Sequence, residues 1–200
     1  RGIFMRILVI SDTHGELDRF WKVFNKLNKE TPVQMIVHCG DYIEDAKEIR
    51  MRSGIPVVAV KGNCDGEYSH DGYSILETEA GDFLVAHGHM HDVGFSLQKL
   101  YYTALDNNCI GALFGHTHRS AVVETGDLYM MNPGSLSQPR DGSGGTFGIL
   151  ETFEDEVFGK IHRYEDFMAE GSAGGNSGSK PKPKDTGGQL RRMLNYSHSF

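Results

Sequence analysis

The stretch that decides the fold is residues 7–14, ILVISDTH, in which an apolar run ends in side chains that bind metal ions. Short apolar runs bounded by turn residues are typical of buried strands. Four later apolar runs end in the same way, at residues 38–41 (HCGD), 62–65 (GNCD), 87–89 (HGH) and 115–118 (GHTH). Sites in layered α/β folds lie beyond the carboxyl ends of such strands. The five ends therefore predict one shared metal centre, and their residue types favour a catalytic one.

Composition bounds the class of protein. The chain has 200 residues, which suits one domain, and 38% of them are hydrophobic, which can supply a core. No stretch approaches the ~20 apolar residues of a membrane span, and no signal-peptide pattern is visible. Three cysteines, odd in number and without a CxxC pair, indicate a reduced compartment rather than a disulfide framework. We therefore expect a cytoplasmic protein with no membrane partner.

The net charge of −7 is distributed unevenly. Residues 169–200 hold five basic and two acidic side chains, a net charge of +3, so the rest of the chain carries −10. An acidic body is a poor match for long nucleic acids, which are bound through phosphate contacts to Lys and Arg. It suits a protein that holds divalent cations. Nucleic-acid substrates are therefore expected only as short oligonucleotides or nucleotides.

The order of elements predicts an α/β protein. Its first half alternates strand, helix, strand, helix, strand, which favours parallel pairing with right-handed crossovers. Helices are expected along the apolar stripe from Leu17 to Leu27 and over residues 45–52 and 95–107. Turn residues at 80–81, 126–127 and 154–155 predict hairpins in the second half, the last of them with a strand over residues 156–164. Two packed sheets with helices outside accommodate both halves.

The predicted domain covers residues 1–168. Residues 169–200 are rich in Gly, Ser, Lys and Pro and cannot bury enough apolar surface to fold alone. We interpret them as a flexible tail, which could be an added fusion segment.

The first two motifs each have a structural alternative. Asp12 and His14 place a carboxylate and an imidazole where both could reach one cation, such as Mn²⁺, Fe²⁺, Zn²⁺ or Ni²⁺. Asp12 could equally cap the following helix. Asp41 follows a glycine that lets the chain turn sharply, and alone the pair is only a turn. A carboxylate there could also bridge two cations ~3.5–4 Å apart, as two-metal hydrolases require.

Histidines cluster at two further strand ends. His116 and His118 point to opposite sides and could each bind a different metal of a pair. His87, His89 and His91 place three imidazoles within five residues, and one ligand with two substrate contacts or bystanders is favoured over three ligands. A lone pair of histidines separated by one residue has a structural explanation more often than not. The metal-binding side chains at the four other strand ends favour metal binding by His116 and His118.

Two further residues could contact a substrate. The side-chain oxygen of Asn63 is an uncommon metal ligand, and its amide can donate to a phosphate oxygen, although a left-handed turn is a nearly equal interpretation. Arg140 follows the turn residues 132–135 (NPGS), and an arginine near a metal pair could hold a phosphate bidentately. His38, His70 and His162 have no companions and are interpreted as structural.

The ordered motifs DTH, GD, GNCD, HGH and GHTH resemble those of the calcineurin-like metallophosphoesterases, and within them the small YfcE-type phosphodiesterases of bacteria and archaea. The resemblance spans about residues 5–165 and includes NPGS followed by Pro139 and Arg140. It implies a four-layer αββα sandwich with two mixed sheets and a dinuclear site. Carried over by position, one metal would be held by Asp12, His14, Asp41 and His118, and the other by Asp41, Asn63, His87 and His116. Asp41 would bridge them.

The activity implied is hydrolysis of small phosphate diesters by a hydroxide that bridges two divalent cations. Mn²⁺ is the first expectation for these cations, with Ni²⁺, Fe²⁺ or Zn²⁺ as alternatives. The preference for diesters follows from the resemblance and from no single residue. A homo-oligomer is compatible with the sequence.

The chain departs from many relatives at Cys64. They have a histidine there, which is thought to protonate the leaving group. A thiol with a reference pKa of about 8.5 is a less suitable acid near neutrality. Asp65 keeps the acidic partner, and the small-phosphodiesterase branch shares the cysteine. The identity of the general acid is therefore left open, with His89 and His91 as candidates.

The alternative function is a non-catalytic interaction scaffold that retains a metal site, similar to the retromer subunit Vps29. That protein resembles this fold and has parts of its ligand set altered. In this chain a metal-binding residue stands at every ligand position, which favours a catalytic function over a scaffold. Metal content together with turnover discriminates the two functions.

Overall fold

The computed structural model describes residues 4–66, 72–125, 128–154, 156–170 and 192–193. Within these residues, the helices are α1 (Asp18–Glu30), α2 (Ile43–Ser53), α3 (Gln98–Asp106) and α4 (Tyr164–Ala169). The strands are β1 (Phe4–Ile10), β2 (Met35–His38), β3 (Val57–Ala59), β4 (Tyr73–Leu76), β5 (Phe83–Ala86), β6 (Gly111–Phe114), β7 (Ser120–Thr125), β8 (Leu128–Pro133), β9 (Thr146–Phe153), β10 (Glu156–Arg163) and β11 (Arg192–Met193). Every helix in these ranges is too short or too polar to cross a lipid bilayer.

The first sheet has six strands in the order β11-β10-β9-β1-β2-β3. Strands β1, β2 and β3 are parallel, whereas β9 and β10 return antiparallel beside β1. The predicted apolar stripe makes α1, because Phe20, Val23, Phe24 and Leu27 all bury on one side. Helix α2 ends at Gly54, whose φ of 69° is the left-handed conformation of a helix C-cap.

The second sheet has five strands in the order β4-β5-β6-β8-β7. Strands β5, β6 and β8 are parallel, and β4 and β7 pair antiparallel at the two edges. Helix α3 covers its outer face, where Leu100 and Ala104 pack in one cluster with Leu84, Ala112 and Met130.

The two sheets pack face to face. Ile7 and Val9 of the first sheet share a buried cluster with Phe83, Leu113 and Met131 of the second. A separate cluster buries the helices α1, α2 and α4 on the outer face of the first sheet. The order helix, sheet, sheet, helix confirms the predicted four-layer αββα sandwich with two mixed sheets.

Two elements have bounds that differ from those predicted from the sequence, and each difference has a physical cause. The last strand, predicted over residues 156–164, ends at Arg163, and Tyr164 begins α4. Tyr164 and Phe167 lie one helical turn apart and both bury in the outer cluster of the first sheet, and Phe167 packs edge-on against Phe147 with 5.1 Å between ring centroids. Helix α3 begins at Gln98 rather than residue 95, because residues 92–95 form turns.

Some predictions fall on residues that the structure leaves undescribed. His70, the turn at 126–127 and residue 155 lie outside the described residues, as does most of the proposed tail. Within residues 169–200, only 169–170 and β11 are described, and β11 pairs antiparallel with β10. The domain boundary at residue 168 and the flexibility of the tail stay predictions.

Candidate metal centre

All seven side chains predicted as metal ligands lie within four residues after the ends of β1, β2, β3, β5 and β6. Asp12 and His14 follow β1, Asp41 follows β2 and Asn63 follows β3, while His87 follows β5 and the last two follow β6: His116 and His118. Parallel strands bring their carboxyl ends to one edge of a sheet, and the two sheets face each other. The ends therefore converge at the junction of the two sheets.

The first group of side chains is Asp12, His14, Asp41 and His118. One ligand atom from each lies within 4.8 Å of all the others. Oδ1 of Asp12 is 3.3 Å from Nε2 of His118, and Oδ2 of Asp41 is 3.6 Å from Nε2 of His14. Two carboxylates and two imidazoles make a mixed oxygen and nitrogen set that suits Mn²⁺, Fe²⁺, Zn²⁺ or Ni²⁺.

The second group surrounds the other oxygen of Asp41. Oδ1 of Asp41 is 3.4 Å from Nε2 of His87. The side-chain oxygen of Asn63 is 3.1 Å from the same nitrogen and 3.0 Å from Nδ1 of His116. The carboxylate of Asp41 therefore faces both groups, with Oδ2 towards His14 and Oδ1 towards His87.

Two histidines are oriented by carbonyl groups. Nδ1 of His87 is 2.8 Å from the carbonyl oxygen of Cys39, and Nδ1 of His118 is 2.7 Å from that of Gln138. A carbonyl oxygen only accepts, so each Nδ1 carries the proton and donates. The lone pair of each Nε2 then points into the cluster, which is the usual arrangement of metal-binding histidines.

The electrostatics of the cluster fit a bound cation. Oδ1 of Asp12 is buried and accepts no hydrogen bond from any described residue. Burial, with the nearby charge of Asp41, raises the pKa of Asp12 to about 7. Burial lowers the pKa of His87 to about 4 and also lowers the pKa values of His116 and His118. Neutral imidazoles and an unpaired carboxylate oxygen are the ligands that a divalent cation requires.

Backbone strain concentrates at the same place. Nine residues other than glycine have positive φ in the described part of the chain, and five of them belong to the two groups. They are Asp12 (54°), His14 (50°), Asp41 (60°), His116 (71°) and His118 (55°). Left-handed conformations cost about 1–2 kcal/mol each and cluster at functional sites. The backbone of Gly62 also packs closely against Asp41, since a Cβ atom at Gly62 would overlap Oδ1 of Asp41.

A model of the calcineurin-like phosphoesterase superfamily domain matches residues 5–155. The chain belongs to the calcineurin-like phosphoesterase superfamily. The predicted family is thereby confirmed. The cluster of aspartates and histidines in this phosphoesterase lies within the matched residues.

Relatives of this phosphoesterase are named as metallophosphoesterases or phosphodiesterases. The probable metallophosphoesterase YsnB of Bacillus subtilis is 32% identical over 153 residues, which cover 76% of this chain and 87% of YsnB. A phosphodiesterase of Methanocaldococcus jannaschii is 29% identical over 168 residues, 76% of this chain and 96% of that protein. The phosphodiesterase YfcE of Escherichia coli K12 is 26% identical over 169 residues, 74% and 88% of the two chains. The resemblance to the YfcE type is confirmed.

Solved structures share the fold. A predicted phosphoesterase from Streptococcus pneumoniae superposes with a TM-score of 0.67 at 25% identity, over 82% of this chain and 91% of that one. Vps29 from Entamoeba histolytica, in complex with Zn²⁺, gives a TM-score of 0.66 at 21% identity, over 84% and 95%. The likeness to Vps29 shows the fold alone.

The predicted catalytic histidines lie in one 3₁₀ turn, His89–His91. The ring of His89 lies 5.3 Å from the ring of His87 and 6.1 Å from that of His116, measured between centroids. It therefore borders the second group. His91 is buried, and its ring centroid lies 6.5 Å from that of Tyr73.

Arg140 and Cys64 border the cluster as well. The backbone N–H of Arg140 donates to the carbonyl oxygen of His118 over 2.9 Å, and its side chain is exposed. Burial lowers the pKa of His118, and the charge of Arg140 lowers it further. The backbone N–H of Cys64 donates to Oδ1 of Asp41 over 3.0 Å. Desolvation and the Asp41 carboxylate raise the pKa of the Cys64 thiol to about 11, so it is protonated near neutrality.

Three polar residues behind the cluster carry no distinctive signal in the sequence. Hydrogen bonds of 2.6 and 2.9 Å join Thr13 to Asp45 and to His38, which the sequence predicts as structural. Asp65 accepts from the N–H groups of Gly62 and Ile43, so it ties the loop after β3 to the start of α2. An acidic residue in a first helical turn is common on electrostatic grounds. Asp45 therefore carried no distinctive signal.

Proposed function

We propose that this phosphoesterase is a phosphodiesterase that hydrolyses small phosphate diesters with two divalent cations, Mn²⁺ being the first expectation. The observation that carries the proposal is the Asp41 carboxylate, whose two oxygens face two different groups of ligands at 3.6 and 3.4 Å. Asp12, His14, Asp41 and His118 would hold one cation, and Asp41, Asn63, His87 and His116 the other. Cations there would supply activated water and neutralise charge on the phosphate oxygens.

Two exposed side chains would hold the phosphate, Asn63 and Arg140. Asn63 has its oxygen within the second group, which leaves its amide nitrogen on the side of Cys64, 3.5 Å from the sulfur. That amide can donate to a phosphate oxygen. Arg140 is exposed, its backbone is anchored beside His118, and its charge lowers the pKa of His118, so we expect its guanidinium to bind an anion at the cluster bidentately.

Of the two candidate histidines, we assign the leaving-group role to His89. Its ring borders those of His87 and His116, whereas the ring of His91 contacts Tyr73. A donor at His89 can hydrogen-bond to the leaving oxygen. Burial lowers the pKa of His89, so its ring is neutral near pH 7 and would assist by donating a hydrogen bond through its N–H. The thiol of Cys64, with its pKa raised to about 11, is protonated as well, but an S–H group is a weak hydrogen-bond donor.

The substrate class rests on the relatives. Two of them, from Methanocaldococcus jannaschii and Escherichia coli, are named phosphodiesterases. We extend that class to this chain as small diesters, with nucleic acid limited to short oligonucleotides or nucleotides. The cytoplasmic location and the homo-oligomer stay predictions.

Metal content and turnover measured on the same preparation test the proposal. The full chain is stripped with a chelator and titrated with Mn²⁺ by calorimetry, and hydrolysis of bis-p-nitrophenyl phosphate is compared with that of the monoester. We expect two Mn²⁺ per chain, turnover only with metal, and a higher kcat/KM for the diester. Binding of Mn²⁺ without turnover of either ester would favour the Vps29-like scaffold, and a preference for the monoester would reject the substrate class.

A further inference from the structure

A chain of buried hydrogen bonds lies directly behind the first group of ligands. The hydroxyl of Thr13 donates to Oδ2 of Asp45 over 2.6 Å, and Nε2 of His38 lies 2.9 Å from the same hydroxyl oxygen. Thr13 is 1% exposed, His38 0% and Asp45 8%. We refer to these three side chains as the Thr13 relay.

Two backbone groups set the direction of the relay. The N–H of Gly40 donates to Nδ1 of His38 over 3.2 Å, so this nitrogen accepts and the ring proton lies on Nε2. Nε2 therefore donates to the oxygen of Thr13, whose own hydrogen goes to Asp45. The N–H of Gly15 also donates to Oδ2 of Asp45, over 2.8 Å. Burial lowers the pKa of His38 to about 4, which keeps the ring in this neutral form near pH 7.

The relay joins the two loops that carry the first group. Thr13 stands between Asp12 and His14 in the loop after β1, while His38 and Gly40 lead into Asp41 after β2. The parallel ladder continues past both strand ends, since Cys39 donates to Ile10 over 2.8 Å and Asp12 donates to Gly40 over 3.0 Å. Beyond these bonds and the contacts of His14 with Asp41 and Tyr42, the relay adds a buried side-chain link between the two loops and the start of α2.

The Thr13 relay offsets backbone strain in the two loops that carry the first group of ligands. Asp12, His14 and Asp41 all have left-handed backbone conformations, which are strained for residues other than glycine. A buried polar group left without its hydrogen-bond partner also destabilises the fold. The relay is satisfied only when both loops adopt their observed spacing, so its bonds offset the strain and oppose relaxation of the loops. Without the relay, the same residues would keep their chemistry, and the backbone bonds between the loops would be left to hold their separation with less restraint.

We propose that Thr13, His38 and Asp45 are positioning residues that hold the Asp12–His14 pair at a fixed distance from Asp41 and thereby preorganise the first cation site. This inference rests on the proposed function, because it concerns the same centre. None of the three side chains needs to touch a metal ion or a substrate. Their effect passes through the loops that present the ligands.

Thr13→Val is the direct test, since it removes the hydroxyl and keeps the shape. Thr13→Ser restores a hydroxyl and serves as the rescue. Thr152→Val is a matched control: Thr152 is 0% exposed, donates one hydrogen bond of 2.8 Å to Glu79, and pairs with Met5 at the opposite end of β1. Calorimetric titration with Mn²⁺ and thermal unfolding of the stripped full chain are measured for all three and for the wild type.

We expect Thr13→Val to weaken one of the two Mn²⁺ binding steps by about 10–100-fold, the usual effect of losing a residue that orients metal ligands. Thr13→Ser and Thr152→Val should bind Mn²⁺ with nearly wild-type affinity, although Thr152→Val lowers the melting temperature of the stripped protein. Raised Mn²⁺ should restore much of the kcat of Thr13→Val. Should that variant not fold, Asp45→Asn, which weakens the acceptor, decides by the same comparison.

Each other outcome has a defined meaning. Equal Mn²⁺ affinity of Thr13→Val and the wild type overturns the inference alone, as does an equal loss of affinity in Thr152→Val. A wild-type protein that binds no Mn²⁺ overturns the proposed function and the inference together.

Discussion

Nδ1 of His87 donates to the carbonyl oxygen of Cys39 over 2.8 Å, and this bond crosses the junction between the two sheets. His87 follows β5 of the second sheet, and Cys39 follows β2 of the first. The bond turns Nε2 of the imidazole towards Asp41 and Asn63. The candidate metal centre is therefore held from both sheets at once.

Asp41→Asn tests the bridging carboxylate. An amide cannot present two anionic oxygens to the two groups, so one cation should be lost. We expect kcat to fall by about 10³-fold or more, equivalent to about 4 kcal/mol of transition-state stabilisation. Mn²⁺ stoichiometry and bis-p-nitrophenyl phosphate hydrolysis measure both effects. Asp106→Asn, on the exposed face of α3, is the control and should behave as the wild type; an Asp41→Asn protein with full activity would reject the bridge.

His89→Ala tests the proposed leaving-group role. Loss of the donor should lower kcat for alkyl diesters by about 10²-fold or more. Nitrophenyl esters, whose leaving groups need little protonation, should be affected much less. His91→Gln should leave the ratio of the two rates nearly unchanged, because His91 packs against Tyr73. The opposite pattern, a selective loss in His91→Gln, would move the role to His91.

Cys64→His tests the departure from relatives that carry histidine at this position. The side chain of Cys64 is exposed beside Asn63, so an imidazole can be accommodated. It should speed hydrolysis of alkyl diesters by about 10²-fold, the lower end for general acid catalysis. Cys64→Ser, which removes the thiol without adding an imidazole, is the control. Equal acceleration of alkyl and nitrophenyl esters would contradict a general-acid effect.

Arg140→Gln tests phosphate binding. Loss of a charged donor costs about 1.5–3 kcal/mol, so KM should rise by about 10–100-fold while kcat changes less. Arg140→Lys should restore only part of the affinity, because an ammonium group cannot bind a phosphate bidentately. Arg50→Gln, on the exposed face of α2, controls for the loss of positive charge. An unchanged KM in Arg140→Gln would remove Arg140 from the substrate site.

His162→Phe tests the acid sensitivity of the fold. Burial lowers the pKa of His162 to about 4, and its ring stacks on Phe147 with 5.3 Å between centroids. The unfolded chain binds this proton near pH 6.5 and the folded chain only near pH 4, so protons favour unfolding within that window. Stability from the neutral ring is complete above pH 6.5 and is lost as the pH falls to 4.

Chemical denaturation at pH 7.5 and pH 4.5 measures this effect. The wild type should lose on the order of 2 kcal/mol more than His162→Phe between the two values. An identical loss in both proteins would show that His162 takes no part in acid unfolding.

Several elements were predictable because their signals are local. The stripe that makes α1 and the bounds of β2 follow from periodicity within a few residues. The sequence did not predict helix α4, because the pattern around Tyr164 is typical of the end of a strand. The helix becomes evident only from the packing of Tyr164 and Phe167 near Phe147. The sequence also did not predict that β9 and β10 pair with the first sheet, since a hairpin can pair with either sheet.

The amino-acid sequence by itself determined which side chains form the candidate centre, because each ligand follows an apolar run and strand ends collect at one edge of a sheet. It also determined the family, through the order and spacing of five motifs. Only the tertiary structure decided that Asp41 turns one oxygen to each group, that Asp12 is left with an unpaired buried oxygen, and that Thr13, His38 and Asp45 join behind them. These contacts join loops that are distant in the chain, and their distances depend on packing between the sheets that no local pattern records.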